Sequence, residues 1–135
     1  MNAYDNTSKA DAQFAILCKL MEFKPKIQTA LDRQEGEGFT FDDIFDMVVK
    51  GRVHFFWVET TCVVMEMRTY PEGTHAHVFL AAGDMNGLNE LFSFLGPWAK
   101  SLGAIKATTL CRMGFKRALK KYGWEEKQVW LTKEL

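Results

Sequence analysis

No stretch of the 135-residue sequence approaches the roughly eighteen or more consecutive apolar residues of a membrane-crossing helix, so no membrane span is expected. Cysteine is scarce: Cys18, Cys62 and Cys111 are odd in number and widely spaced, with no C-x-x-C. That excludes a disulfide framework or a zinc site of the usual spacing. It predicts reduced thiols serving as small core hydrophobes in an intracellular, cytoplasmic setting. The polar opening from Met1 to Asp11 lacks the apolar centre of a secretory signal. Net charge is absent too: 17 basic and 17 acidic side chains cancel, which argues against whole-surface binding of nucleic acid or anionic membrane.

Bulk is plentiful. Hydrophobic residues make up 47% of the chain and include eleven Phe and four Trp, enough for a real core without staples. The neutral total conceals an asymmetry: residues 1–50 and 51–99 each carry a net charge of −3, and residues 100–135 a net +6.

The first third of the chain reads as helical. Phe14, Leu17, Cys18 and Met21 fall on one stripe of a helix from about Ser8 to Phe23. A short helix from Pro25 to Gln34 follows, with Pro in the first turn. Glu35-Gly36-Glu37-Gly38 reads as a loop. Thr40 is a natural N-cap, with Asp42 and Asp43 in the first turn and Phe41, Ile44, Phe45 and Val48 on the buried side. After Gly51 the period changes to that of strands. Val53–Val58, Cys62–Tyr70 and His75–Ala81, joined by short turns, predict an antiparallel meander.

A helix from Leu88 to Leu102 then crosses to a strand at Ile105–Leu110, which should lie parallel beside His75–Ala81. Pro97 is expected to kink or divide that helix. A basic amphipathic helix runs from Gly114 to Tyr122, and Glu126–Lys133 alternates as a last strand. The fold class is therefore α+β: a central mixed sheet flanked by helices, with residues 1–39 a helical segment packed on a core of 40–135.

The element order from Thr40 onward resembles that of the GCN5-related N-acetyltransferases (GNAT). The run from Phe115 to Trp124 is similar to that family's late helix ending in Gly-Phe, with Trp124 in place of Phe. The whole also resembles small phage-encoded proteins of GNAT-like fold. The resemblance implies a coenzyme A pyrophosphate cradle after the third strand, of the form Arg/Gln-x-x-Gly-x-Gly/Ala. The corresponding loop is Gly83-Asp84-Met85-Asn86-Gly87-Leu88-Asn89, which makes Met85, Asn86, Gly87, Leu88 and Asn89 the candidate cofactor residues.

Aligned on Gly87, Asp84 stands where Arg or Gln is wanted, and Asn89 where a small residue is wanted. Leu119 holds the position of the family's proton-donating Tyr, and Tyr122 is roughly 300° further around the helix. The resemblance implies a general base near the second strand, for which Glu66, within an apolar run, is the candidate; the competing reading is a solvent face.

The basic residues Arg112, Lys116 and Lys120, together with Trp130, are the candidate partner surface. The plainer reading of the basic stretch is a solvated helix face. The paired His75 and His77 share a strand face without a third ligand at metal spacing, so no metal is expected. A degenerate, non-catalytic protein follows, with no cofactor. It would act through protein contacts with virion components or with a second copy of itself, in the host cytoplasm or virion if phage-encoded. Nucleic acid, through the basic C-terminal helix, ranks behind. The alternative is an N-acyltransferase using acetyl-CoA through an atypical loop.

Overall fold

The fold is described from a computed structural model covering residues 3–33, 38–111 and 113–135. The loop expected at 35–37, the end of the second helix at Gln34 and the candidate Arg112 lie outside the described residues.

Three helices come first: α1 (Ala3–Glu22), α2 (Lys24–Arg33) and α3 (Phe41–Val49). Helix α3 begins as its sequence dictates. Thr40 Oγ1 accepts the Asp43 N–H at 3.2 Å, and Asp43 Oδ2 accepts the Thr40 N–H at 2.8 Å, a reciprocal capping box. Four strands and two helices follow: β1 (His54–Trp57), β2 (Cys62–Tyr70), β3 (Gly73–Ala82), α4 (Met85–Ser101), β4 (Ala104–Thr109) and α5 (Met113–Lys120). The sheet order is β1-β2-β3-β4, with the first two pairs antiparallel and β3–β4 parallel. The expected meander and crossover are both present, in an α+β fold.

The sheet separates two apolar layers. On one face Leu20 of α1, Phe23 between the helices, Ile27 and Leu31 of α2 and Ile44 and Val48 of α3 pack with Phe55, Val64, Phe79 and Leu80. On the other, Leu91, Leu95 and Ala99 of α4 pack with Val63, Met65 and Val78, and Trp124 joins them at the edge.

Four expectations need correction. Helix α1 buries Leu20 and half-buries Ile16 and Leu17, while Phe14 is 70% and Met21 50% exposed; the period was right and the phase was not. Helix α4 starts at Met85 rather than Leu88 and runs undivided through Pro97. Of the cysteines only Cys62 is a core residue; Cys18 and Cys111 are exposed. The strand expected at Glu126–Lys133 does not form: residues 124–135 lie outside the sheet, and 125–135 are exposed throughout. The alternation there joins no ladder of the sheet, and a strand is stable only in a ladder.

Candidate functional site

The site arises where two parallel strands part. β4 pairs with β3 only as far as Val78, opposite Thr109, and β3 continues to Ala82. The last link is the Thr109 hydroxyl, donating to the Val78 carbonyl at 3.0 Å. Just past it, β3 carries a bulge. Val78 stands opposite Met65 and Leu80 opposite Val64, so Phe79 is the extra residue. Phe79 and Leu80 therefore both face the first three helices, while Val78 and Ala81 face α4.

A cavity of about 540 Å³ opens at this parting. Phe79–Ala82 of β3 form one wall, and Leu110, Cys111, Phe115, Leu119 and Trp124 form the wall opposite. Met85, Leu88 and Phe92 of α4 and Lys26, Thr29 and Arg33 of α2 complete it. The lining is mostly apolar, with Lys26, Thr29, Arg33, Thr60, Thr61 and Asp84 among its polar members, as in sites for small organic ligands.

The rim corner at α4 is a closed set of contacts. Asp84 is the N-cap, with φ −109° and ψ 164°, and its carboxylate accepts the Gly87 N–H at 2.6 Å. The Thr61 hydroxyl accepts the Asp84 N–H at 3.1 Å and donates to the Asp84 carbonyl at 3.3 Å. Lys26 Nζ donates to the Thr60 carbonyl at 2.7 Å.

Both glycines are dictated by this packing. A Cβ on Gly83, at φ +129°, would lie 2.5 Å from Thr61 Oγ1 and 2.6 Å from its Cα. A Cβ on Gly87 would fall on Thr61 Oγ1 and 2.6 Å from Thr61 Cβ. The Gly87 hydrogen bond, followed by the Thr60 side chain and the charge of Lys26, holds the Asp84 carboxyl below the usual carboxylate range. Asp84 is thus an anion sitting on a helix N-terminus, where the amides and the dipole favour negative charge.

The candidates read from the sequence separate into three groups. Met85 and Leu88 line the cavity, and Gly87 is buried beside it with its N–H bonded to Asp84. Asn86 and Asn89 are exposed and do not line it. Asn89 sits in the second turn of α4, so it does not stand at the helix N-terminus as the loop alignment implied. Leu119 is buried in the cavity wall.

Glu66 is elsewhere, on the polar half of β2, where its Oε1 accepts from Arg68 Nε at 2.9 Å. It faces His77 across the ladder and does not line the cavity. Nor does Tyr122, exposed after α5. Lys116 pairs with Glu126 at 3.1 Å, Lys120 is exposed, and Trp130 is 62% exposed.

His77 is buried, with Nδ1 2.9 Å from the Thr108 hydroxyl; burial, then the charge of Arg68, lowers its pKa to about 4. His75 lies 2.6 Å from the Glu72 carboxylate and stacks near Tyr70. Burial pushes the Cys62 thiol up to about 12, and raises that of Cys111, so neither is a ready thiolate nucleophile.

Sequence reasoning missed Lys26, Arg33, Thr60 and Thr61. The signal available for the two threonines was the Gly83/Gly87 pair, since glycines four apart at a helix start imply a close neighbour as readily as a phosphate.

No protein-family model matches the sequence, and no curated protein matches it. Solved structures do match its fold. An acetyltransferase of Trypanosoma brucei superposes with a TM-score of 0.65 at 12% identity, over 88% of this chain and 94% of that one. An aminoglycoside acetyltransferase from an uncultured soil metagenomic sample, in complex with sisomicin, gives 0.63 at 13% identity, over 88% and 90%. Glucosamine-6-phosphate N-acetyltransferase of Arabidopsis thaliana gives 0.56 at 16%, over 84% and 90%. The chain has a GNAT-like acetyltransferase fold. Identities this low speak to fold alone.

Proposed function

We propose that this protein is a GNAT-fold chain that does not transfer acyl groups from coenzyme A and instead works by contact with other proteins. One observation carries the reading: the Asp84 carboxylate occupies the Gly87 N–H at 2.6 Å. The helix N-terminus that would receive a pyrophosphate is already capped by the chain's own anion, and a phosphate there would meet like charge. Leu119, in the cavity wall, offers no proton to a leaving thiolate. Of the two cations in the cavity wall, Lys26 and Arg33, the one beside Asp84, Lys26, donates to the Thr60 carbonyl. A virion or packaging setting for those contacts rests on the sequence resemblance to small phage-encoded proteins alone.

Calorimetric titration with acetyl-CoA tests it. The expected result is no saturable heat, and a dissociation constant in the low micromolar range would overturn the reading. The second reading, an N-acyltransferase with an atypical cofactor loop, is favoured by the cavity of about 540 Å³ beside that same loop. Under it, Asp84→Arg should tighten binding of acetyl-CoA.

A further inference from the structure

One face of α2 looks into the cavity: Pro25, Lys26, Thr29, Ala30 and Arg33 all line it, recurring at helical spacing. Two of these side chains are cations. They stand seven residues apart, which is two turns and about 10 Å along the helix axis.

The two ends of this stripe differ electrically. Lys26 is compensated: its Nζ donates to the Thr60 carbonyl at 2.7 Å, and its charge is felt by the Asp84 carboxylate. Arg33, in the last turn of α2, is exposed and makes neither a hydrogen bond nor an ion pair among the described residues. Lys26, Arg33 and Asp84 are the charged residues of the described lining, so one positive charge is in surplus. That surplus sits at the Arg33 end, two turns of α2 away from the Asp84 corner. The remainder of the lining is mostly apolar, with Leu88 and Phe92 of α4, Phe115 and Leu119 of α5, and Trp124 beyond.

We infer that the cavity binds a small organic acid, its apolar chain or ring among Phe92, Phe115, Leu119 and Trp124 and its carboxylate on the Arg33 guanidinium. A single surplus charge suits a monoanion. The guanidinium fork presents parallel N–H groups to the two oxygens of a carboxylate. The volume of about 540 Å³ falls inside the range of about 300–1,000 Å³ usual for small-molecule sites. The like charge that bars a pyrophosphate from the α4 N-terminus does not bar a carboxylate at the other end of the stripe, because the repulsion falls with distance. The inference rests on the proposed function only in that coenzyme A leaves the cavity free. Titration with acetyl-CoA tests that point separately, and either can fail alone.

Calorimetric titration of the full chain with octanoate should give saturable binding. Shorter acids should bind more weakly, by about fourfold for each methylene lost from the buried chain. Octanol and octylamine carry the same chain without the anion and should bind several-fold more weakly than octanoate. Arg33→Gln, at an exposed position, should weaken octanoate by about fivefold to tenfold and leave octanol unchanged. Thr29→Trp, an exposed position on the same stripe, should fill the cavity and abolish octanoate binding, with an unchanged circular dichroism spectrum. No saturable heat with octanoate, octanol binding as tightly as octanoate, or an octanoate affinity unchanged in either variant would each overturn the proposal.

Discussion

Replacing Gly87 by alanine isolates the packing of the rim corner from its chemistry. In α4 an alanine is ordinarily favoured over glycine by about 1 kcal/mol, so an open site would be stabilised. Gly87 is not open: its Cβ would fall on Thr61 Oγ1 and 2.6 Å from Thr61 Cβ. Thr61 is 1% exposed and hydrogen-bonded to both the N–H and the carbonyl of Asp84, so it has no free direction in which to retreat. Overpacking of this kind costs typically about 1–3 kcal/mol, which matches or exceeds the propensity gain. The expected net is a loss of up to about 2 kcal/mol.

Gly114, in the first turn of α5, is the internal control, because among the described residues a Cβ there meets nothing within 4 Å. Gly114→Ala should be neutral or stabilise by up to about 1 kcal/mol. Urea unfolding followed by tryptophan fluorescence reads both midpoints. If Gly87→Ala is as benign as Gly114→Ala, the glycine is not held by Thr61. The two-threonine corner would then not be what closes the α4 N-terminus.

The remaining predictions concern the sheet. His77 has its pKa lowered from 6.5 to about 4, so the native state refuses a proton that the unfolded chain accepts. Its contribution is fully present above pH 6.5 and is lost as pH falls through about 4, on the order of 3 kcal/mol at about 1.4 kcal/mol per unit. Denaturant midpoints between pH 7 and 4 should fall more steeply for the wild type than for His77→Gln, with Glu66, Arg68 and Thr108 unchanged in both; parallel curves would contradict the buried neutral imidazole. Phe79→Ala should cost about 3–5 kcal/mol, because the bulged ring is 9% exposed and meets Phe39 edge-on at 4.9 Å. A loss under about 1 kcal/mol would mean that β3 is peripheral at that point.

What could be read from the residues divides along a physical line. Features set by bonds between near neighbours were visible: the Thr40–Asp43 box, the alternation from Cys62 to Tyr70, and the Pro71–Gly73 turn region each specify themselves within a few positions. The crossover through α4 was visible because parallel neighbours require one. Features set by a distant surface were not. In α1, apolar residues occupy more than one side, so Phe14–Leu17–Cys18–Met21 and Ile16–Leu20–Phe23 fit the helical period equally; only α3 and the sheet decide which is buried. At the cavity rim, Lys26, Thr60 and Thr61 come from α2 and the β1–β2 turn, far in sequence from Asp84, and none carries a local signature.

The C-terminal segment marks the limit of pattern reading most sharply. Its alternation is as regular as that of β2, with Val129 and Leu131 on one side and Trp130 on the other. β2 is bonded along both edges, and residues 125–135 are exposed along their whole length. Periodicity reports which side chains would share a face; it does not report whether an edge is within reach. The Trp124–Phe92 contact fixes where the segment begins, and beyond it residues 125–135 pair with no strand of the sheet.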